Sequence, residues 1–411
     1  MSAVTINGER LWDSLMQMAG IGATDKGGCN RQALTELDQQ GRALFLRWCE
    51  QAGCHWWLDE MGNLFVRRPG TQPDAPAVLT GSHLDTQPTG GKFDGVYGVL
   101  AGLEVIRTLN DHQIDTTHPI DIAVWTNEEG ARFSPAMLGS GVWAGAFSLE
   151  YGLGRTDSTG TTVKQAIKSL GYDALQPCQP YPIKAAFELH IEQGPILEQA
   201  KTPIGVVEGV QGMRWYDLIL TGAPVHAGPT PMDVRQDPVL AYASIAAKLY
   251  ELAREHGPWA RVTLGSIETY PGARNTVPER VTATVDLRHP DANVLEQMDK
   301  AFRLLTNEVS EIAGVRAEIR DEWLSPPVSF ASECVETVQR ASDELGLKSK
   351  RLFSGAGHDA VYVSSVAPTS MIFIPCEKGI SHNEAENIKP QDAKAGANVL
   401  LRAILSQAGE Q

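Results

Sequence analysis

Ala77-Val78-Leu79-Thr80-Gly81-Ser82-His83-Leu84-Asp85-Thr86 opens as an apolar run and closes in ionisable residues, and its reading decides the fold. Residues 77–80 read as a strand. Beyond it, residues 95–109 set Val96, Val99, Leu100, Leu103 and Ile106 on one face of a 3.6-residue period. Residues 120–125, Ile-Asp-Ile-Ala-Val-Trp, then read as a second strand. Strand, helix, strand is the grammar of an α/β fold with a largely parallel sheet covered by helices.

Working outward, residues 185–191 and 371–374 are further apolar strands, and a helix is expected at 393–405. Between them the pattern changes. Strand 215–221, helix 238–256, strand 262–269, strand 280–288, helix 292–313 and strand 315–321 give the β-α-β-β-α-β order of a ferredoxin-like unit. The expected organisation is therefore a discontinuous first domain, residues 1–212 and 327–411, with residues 213–326 inserted as a second. No internal repeat or low-complexity tract interrupts it.

At 411 residues and 42% hydrophobic content the chain can fill two cores without staples. A net charge of −15 excludes the basic stripe that nucleic acid demands. Six scattered cysteines with no Cys-x-x-Cys pair indicate neither a disulfide framework nor a zinc ribbon, and a cytoplasmic location is expected. The N-terminus is amphipathic, with Leu11, Trp12, Leu15 and Met16 among charges, and no run approaches the ~20 apolar residues of a membrane span.

Ionisable residues gather just past the strands. His83 lies beyond the strand ending near Thr80, at the carboxyl end where open α/β sheets place ligands. Asp85, two residues on, is placed to accept the second ring N–H of His83 and fix its tautomer. Asp94, in Gly90-Gly91-Lys92-Phe93-Asp94-Gly95, taken alone reads first as a helix cap, while a carboxylate there can also bridge two cations. Glu128 and Glu129 follow strand 120–125, and the alternation of extended chain would send them to opposite faces, one to a metal and one to a water. His190 lies in strand 185–191, and His382 follows strand 371–374 by one loop. Each has an ordinary reading as loop pair, acidic turn or core histidine. Five such groups, each near the end of a different strand, point instead to metal-assisted hydrolysis. Imidazole and carboxylate without thiolate suit Zn, Mn, Co or Ni in an open site.

With these residues the chain resembles the M20-type dinuclear metallohydrolases, and within them the hydantoinase/carbamoylase branch of N-carbamoyl-L-amino acid amidohydrolases, β-ureidopropionases and allantoate amidohydrolases. The resemblance runs through Gly-Ser-His-Leu-Asp-Thr (81–86), Asn-Glu-Glu-Gly-Ala-Arg-Phe (127–133), Glu-Leu-His-Ile-Glu-Gln-Gly (188–194), His-Ala-Gly-Pro-Thr-Pro-Met (226–232) and Ser-Gly-Ala-Gly-His-Asp (354–359). Pro229 stands where the family usually has Ala or Thr, and Cys29-Asn30 where it tends to have Val-Thr.

The resemblance implies a metallopeptidase-like catalytic domain with two divalent ions per subunit. His83, Asp94 and His190 would hold one ion, and Asp94, Glu129 and His382 the other. Glu128 would be the general base. Residues 213–326 would form a lid and homodimerisation module, from which His226 reaches an active site, the partner subunit's, to stabilise an oxyanion. Asn275 and Arg288 would hold a substrate carboxylate, with Gln193, Gly357 and His358 near the substrate and Asp359 there or capping a loop. Peptidases of the wider family usually carry an acid at the position of His190. Its imidazole therefore favours a small ureido acid as substrate: hydrolysis of an N-carbamoyl-L-amino acid to the amino acid, ammonia and carbon dioxide. Allantoate amidohydrolase or β-ureidopropionase activity is the near alternative, and dipeptidase or aminoacylase activity the distant one.

Overall fold

The computed structural model describes residues 4–173 and 175–409. They divide into two compact units, one formed by the segments up to Gly209 and from Ser329 onward, the other by Val210–Val328.

In the first unit, strands Ile120–Trp125, Ala77–His83, Ile183–Ile191 and Thr369–Ile374 lie side by side in that order, each parallel to the next. Antiparallel strands extend the sheet, Leu64–Arg68 and His55–Leu58 on one side and Ile204–Val210 on the other. Every residue of Ala77–His83, Ile120–Trp125 and Thr369–Ile374 is buried. Their apolar runs do not alternate because helices cover both faces. The first strand continues past Thr80, since Gly81 and Ser82 pair with Ala123 and Val124, so His83 is its last residue and sits opposite Trp125.

Helix Val96–Asp111 was expected to bury one face, yet it is buried nearly all round. Helices Gly8–Ala19 and Pro390–Ala408 pack against it as a further layer. Even Glu104 is inside, where the Arg10 guanidinium donates to both carboxylate oxygens at 2.9 and 2.8 Å. Among the described residues no helix is long and apolar enough to cross a membrane. All six cysteines are free thiols.

The second unit is an antiparallel sheet in the order Ile267–Tyr270, Arg280–His289, Gly212–Thr221, Arg316–Ser325, with Arg261–Thr263 also paired to Arg280–His289. Every second residue of the central strand, Val281, Ala283, Val285 and Leu287, is buried with Ile245, Leu249, Met298 and Phe302 from helices Pro238–Glu255 and Ala292–Ala313. Asp237 and Asp291 cap those helices through their side chains. The strand expected at 262–269 is in fact two. Ser266 breaks the ladder by donating its N–H to Thr284 Oγ1 at 3.0 Å and accepting from the Thr284 N–H at 3.1 Å.

Candidate metal centre

Asp94 is the residue around which the other ligand candidates gather. Its Oδ1 lies 3.1 Å from Nε2 of His190 and 3.6 Å from Nε2 of His83, whereas its Oδ2 lies 3.5 Å from Nε2 of His382. The two oxygens thus face different imidazoles. Donor atoms of His83, Asp94 and His190 lie within 4.8 Å of one another, as do those of Asp94, Glu129 and His382. Asp94 belongs to both groups.

The helix-cap reading of Asp94 fails. The cap position belongs to Gly95, at φ 67° and ψ −49°, with no side-chain cap bond. That residue has to be glycine, because a Cβ there would lie 2.3 Å from Nε2 of His83.

His83 Nδ1 faces the main-chain carbonyl of Asp85 at 2.8 Å, and His190 Nδ1 that of Ile191 at 2.9 Å. A carbonyl only accepts, so both rings carry a proton on Nδ1 and turn Nε2 toward Asp94. An imidazole lone pair and a carboxylate oxygen held this close repel unless a cation or a proton lies between them. The donor set, all nitrogen and oxygen and largely buried, suits divalent metal ions.

Asp85 works differently from the sequence expectation. Its carboxylate is 4.0 Å from the His83 ring and instead faces the main-chain N–H groups of Glu128 and Glu129, at 3.4 and 3.3 Å. The chain turns at Asn127, φ 59°, directly after the strand, which aims those two N–H groups at Asp85. The division between Glu128 and Glu129 therefore comes from this turn and not from strand alternation. Glu128 Oε2 lies 3.4 Å from Nε2 of His83, and Glu129 Oε2 lies 3.1 Å from Nε2 of His382.

The electrostatics follow from many acids in little volume. Burial works to raise the Asp94 carboxyl, but the imidazoles of His190 and His83 outweigh it and hold the group well below the usual range. Burial pushes Glu128 well above its ordinary value; His83 opposes that, while Asp359, Glu129 and Asp94 add to it. Burial works against charge on His83, yet Glu128, Asp94 and Asp85 carry it well above its ordinary value. The hydrogen bond to Glu129 raises His382 to about 9. His358 goes the other way, held neutral by burial and by nearby His190.

Residues around this core support it. Gln193 Nε2 donates to Asp94 Oδ2 at 2.8 Å, and its own Oε1 is buried without a hydrogen-bond partner among the described residues. His358 is buried against the His190 ring, with Nε2 3.0 Å from Ser354 Oγ. A Cβ on Gly357 would meet the Met137 side chain at 2.8 Å. Asp359 Oδ1 accepts from Ser140 Oγ at 2.5 Å.

Sequence reasoning missed Glu188, Ser381 and Glu386. Glu188 accepts from Ser82 Oγ at 2.7 Å and from the Ala360 N–H at 2.9 Å. The two-residue spacing from Glu188 to His190 on one strand was the signal that could have found it. Glu386, buried, accepts from the N–H groups of Phe93 and Asp94, and no local pattern announces it.

His226, Asn275 and Arg288 belong to the second unit. Val225–His226 pairs with Thr276–Val277, and the Ala227 N–H donates to the Asn275 carbonyl at 2.9 Å, so His226 and Asn275 are neighbours. The Gly228 N–H donates to His226 Nδ1 at 3.1 Å, which leaves the ring proton on Nε2. Arg288 lies on an interior strand, its guanidinium oriented by Asp286 through bonds of 2.8 to 3.1 Å.

A model of peptidase family M20/M25/M40 matches residues 79–406. The N-carbamoyl-L-amino-acid amidohydrolase of Rhizobium meliloti is 49% identical over 403 residues, 98% of this chain and 97% of that one. The corresponding protein of Geobacillus stearothermophilus is 39% identical over 403 residues, 97% of this chain and 98% of that one. Among solved structures, a hydantoinase/carbamoylase-family amidase from Burkholderia multivorans matches with a TM-score of 0.97 at 51% identity, covering 98% of both chains.

Proposed function

The chain belongs to peptidase family M20/M25/M40, and from that premise we propose that it is a metal-dependent amidohydrolase cleaving the ureido C–N bond of N-carbamoyl-L-amino acids. The observation that carries the reading is Asp94, a buried carboxylate whose two oxygens face separate imidazoles. Support for the ureido substrate comes from the carbamoyl-cleaving relatives and from the imidazole at position 190. We assign one ion to His83, Asp94 and His190 and the other to Asp94, Glu129 and His382, with Zn, Mn, Co and Ni as candidates. Bound, such ions polarise a carbonyl and bring the pKa of a water from about 15.7 toward ~7.

The chain's own residues supply the proton traffic. Glu128 takes a proton from the attacking water and passes it to the leaving nitrogen. The burial that raises its carboxyl suits it to hold that proton between the two transfers. Release of the carbamate, which falls apart to ammonia and carbon dioxide, draws the reaction forward. His226, with its proton on Nε2, is a donor for the developing oxyanion. Arg288, oriented by Asp286, and Asn275 take the substrate carboxylate. Residues 213–326 serve as lid and homodimer module, and the free thiols suit a reducing cytoplasm.

Ammonia release from N-carbamoyl-L-amino acids, N-carbamoyl-β-alanine and allantoate, with dipeptides and N-acyl amino acids as controls and added Mn, Zn or Co, tests the reading. The highest kcat/KM is expected on an N-carbamoyl-L-amino acid. Glu128→Gln should abolish turnover with the metal content unchanged. Cleavage of peptides with no action on ureido acids refutes the proposal.

A further inference from the structure

Glu386 is 1% exposed and forms no ion pair with the imidazoles among the described residues, yet two of its hydrogen bonds end on the segment that presents Asp94 and a third on Ser381, which itself reaches Asp94. Oε1 accepts from the N–H of Phe93 at 2.9 Å and from that of Asp94 itself at 3.1 Å. Oε2 lies 3.2 Å from Ser381 Oγ, and that hydroxyl sits 2.7 Å from Asp94 Oδ2, where Gln193 Nε2 also donates. The carboxyl thus grips the Asp94 backbone from one side and, through one serine, the Asp94 side chain from the other.

Room for this grip is made by a second residue. A Cβ built on Gly91 would lie 2.0 Å from the Glu386 carboxyl carbon and 2.1 Å from Oε1. Gly91 is therefore the floor of a slot that only the Glu386 carboxyl fills. An ordinary surface turn needs no such slot.

We propose that Glu386, seated on Gly91 and relayed by Ser381, is a positioning residue that aims the carboxylate of Asp94 between the two imidazole groups. The inference rests on the metal-centre reading of Asp94. Its work is done through hydrogen-bond acceptance and not through charge. A carboxamide keeps one oxygen for both N–H groups and offers an N–H to Ser381 Oγ, leaving that hydroxyl to donate to Asp94. A methyl group leaves two buried N–H groups unpartnered and Asp94 free to swing.

Divalent-metal affinity, measured with Zn and with Mn by chelator competition on folded protein, separates these cases. Glu386→Ala should lose about 10–100-fold in affinity, the range seen when groups orienting a ligand are removed. Glu386→Gln should stay near wild type. Gly91→Ala, which pushes the carboxyl out of its slot, should resemble Glu386→Ala, and the double variant should be no worse than Glu386→Ala alone, because the clash has gone. Ser381→Ala, which keeps the backbone grip, should show a smaller loss. Thermal unfolding on the same samples confirms that they are folded. Wild-type affinity in Glu386→Ala, or an equal loss in Glu386→Gln, overturns the proposal while leaving the metal centre standing. A wild-type protein that binds neither ion overturns the metal centre and the positioning role with it.

Discussion

Metal loading should release protons, and the structure says how many decades of affinity hang on one of them. In the metal-free centre His83 and His190 stand above their ordinary value, and His382 is raised to about 9 by its bond to Glu129. With its pKa near 9, the His382 ring carries its proton at neutral pH, so an incoming ion must displace it. Apparent affinity then rises with pH, by tenfold per pH unit for each proton displaced, and levels off above the folded pKa. For His382 alone the climb from pH 7 to about 9 is two units, up to ~100-fold. The ring is half exposed, so solvent screening trims the expected gain toward tenfold. Calorimetry of Zn or Mn binding in two buffers of different ionisation enthalpy reads the proton count, and chelator competition from pH 6.5 to 9.5 reads the slope. His382→Ala should flatten the slope by about one proton. Binding heats independent of buffer, together with an affinity flat across that range, would refute the reasoning.

Gly95→Ala forces a side chain into a backbone conformation that costs about 1–3 kcal/mol and drives its Cβ to 2.3 Å from Nε2 of His83. The folded variant should lose the ion assigned to His83, and full metal content by elemental analysis would contradict that. Mixing His226→Ala subunits with Glu128→Gln subunits tests the trans assignment of His226. Each alone should be inactive. The hybrid should regain activity at the site that keeps Glu128 and borrows His226, and silence despite proven subunit exchange would place His226 in its own subunit's site.

Legibility followed the range of each interaction. The parallel strands and the helix between them were readable because burial on both faces writes apolar runs of strand length, and boundaries missed by a few residues where pairing carried a strand on, as at Gly81-Ser82-His83. The candidate ligands were readable from their residue types, with His83 and His190 in the last two residues of their strands and Asp94, Glu129 and His382 in the loops beyond. Their support was not. Asp85 looked like a partner for His83 because it is two residues away, but a turn at Asn127 gave its carboxylate closer business with Glu128 and Glu129. Glu386 is nearly three hundred residues from Phe93 and could be found only once the chain was folded. Arg288 carries no signal of Asp286 beyond its spacing, and the choice between ion pair and substrate contact lies outside any local pattern.

The same crowding that hides the support suits the site to divalent cations. Asp85, Asp94, Glu128, Glu188, Asp359 and Glu386 are all buried around one sheet end. Of the two buried guanidiniums nearby, Arg42 is committed to Asp38 at 3.1 Å and Arg31 to the main-chain carbonyls of Leu84, Met18 and Ile21. These carboxyls cannot all ionise in so small a volume, and their behaviour splits: Asp94 falls below the usual range, while Glu128 and Asp359 rise well above theirs and Glu386 to about 7. His382, raised to about 9 by Glu129, meets part of the missing positive charge with its ring proton. That proton is what an ion would replace, and Glu128, with its raised pKa beside the candidate ligands, is the group proposed to move a proton during turnover. On the proposed assignment, ligand and base would thus be separated by one electrostatic constraint, the number of carboxyls that a buried strand end can hold ionised.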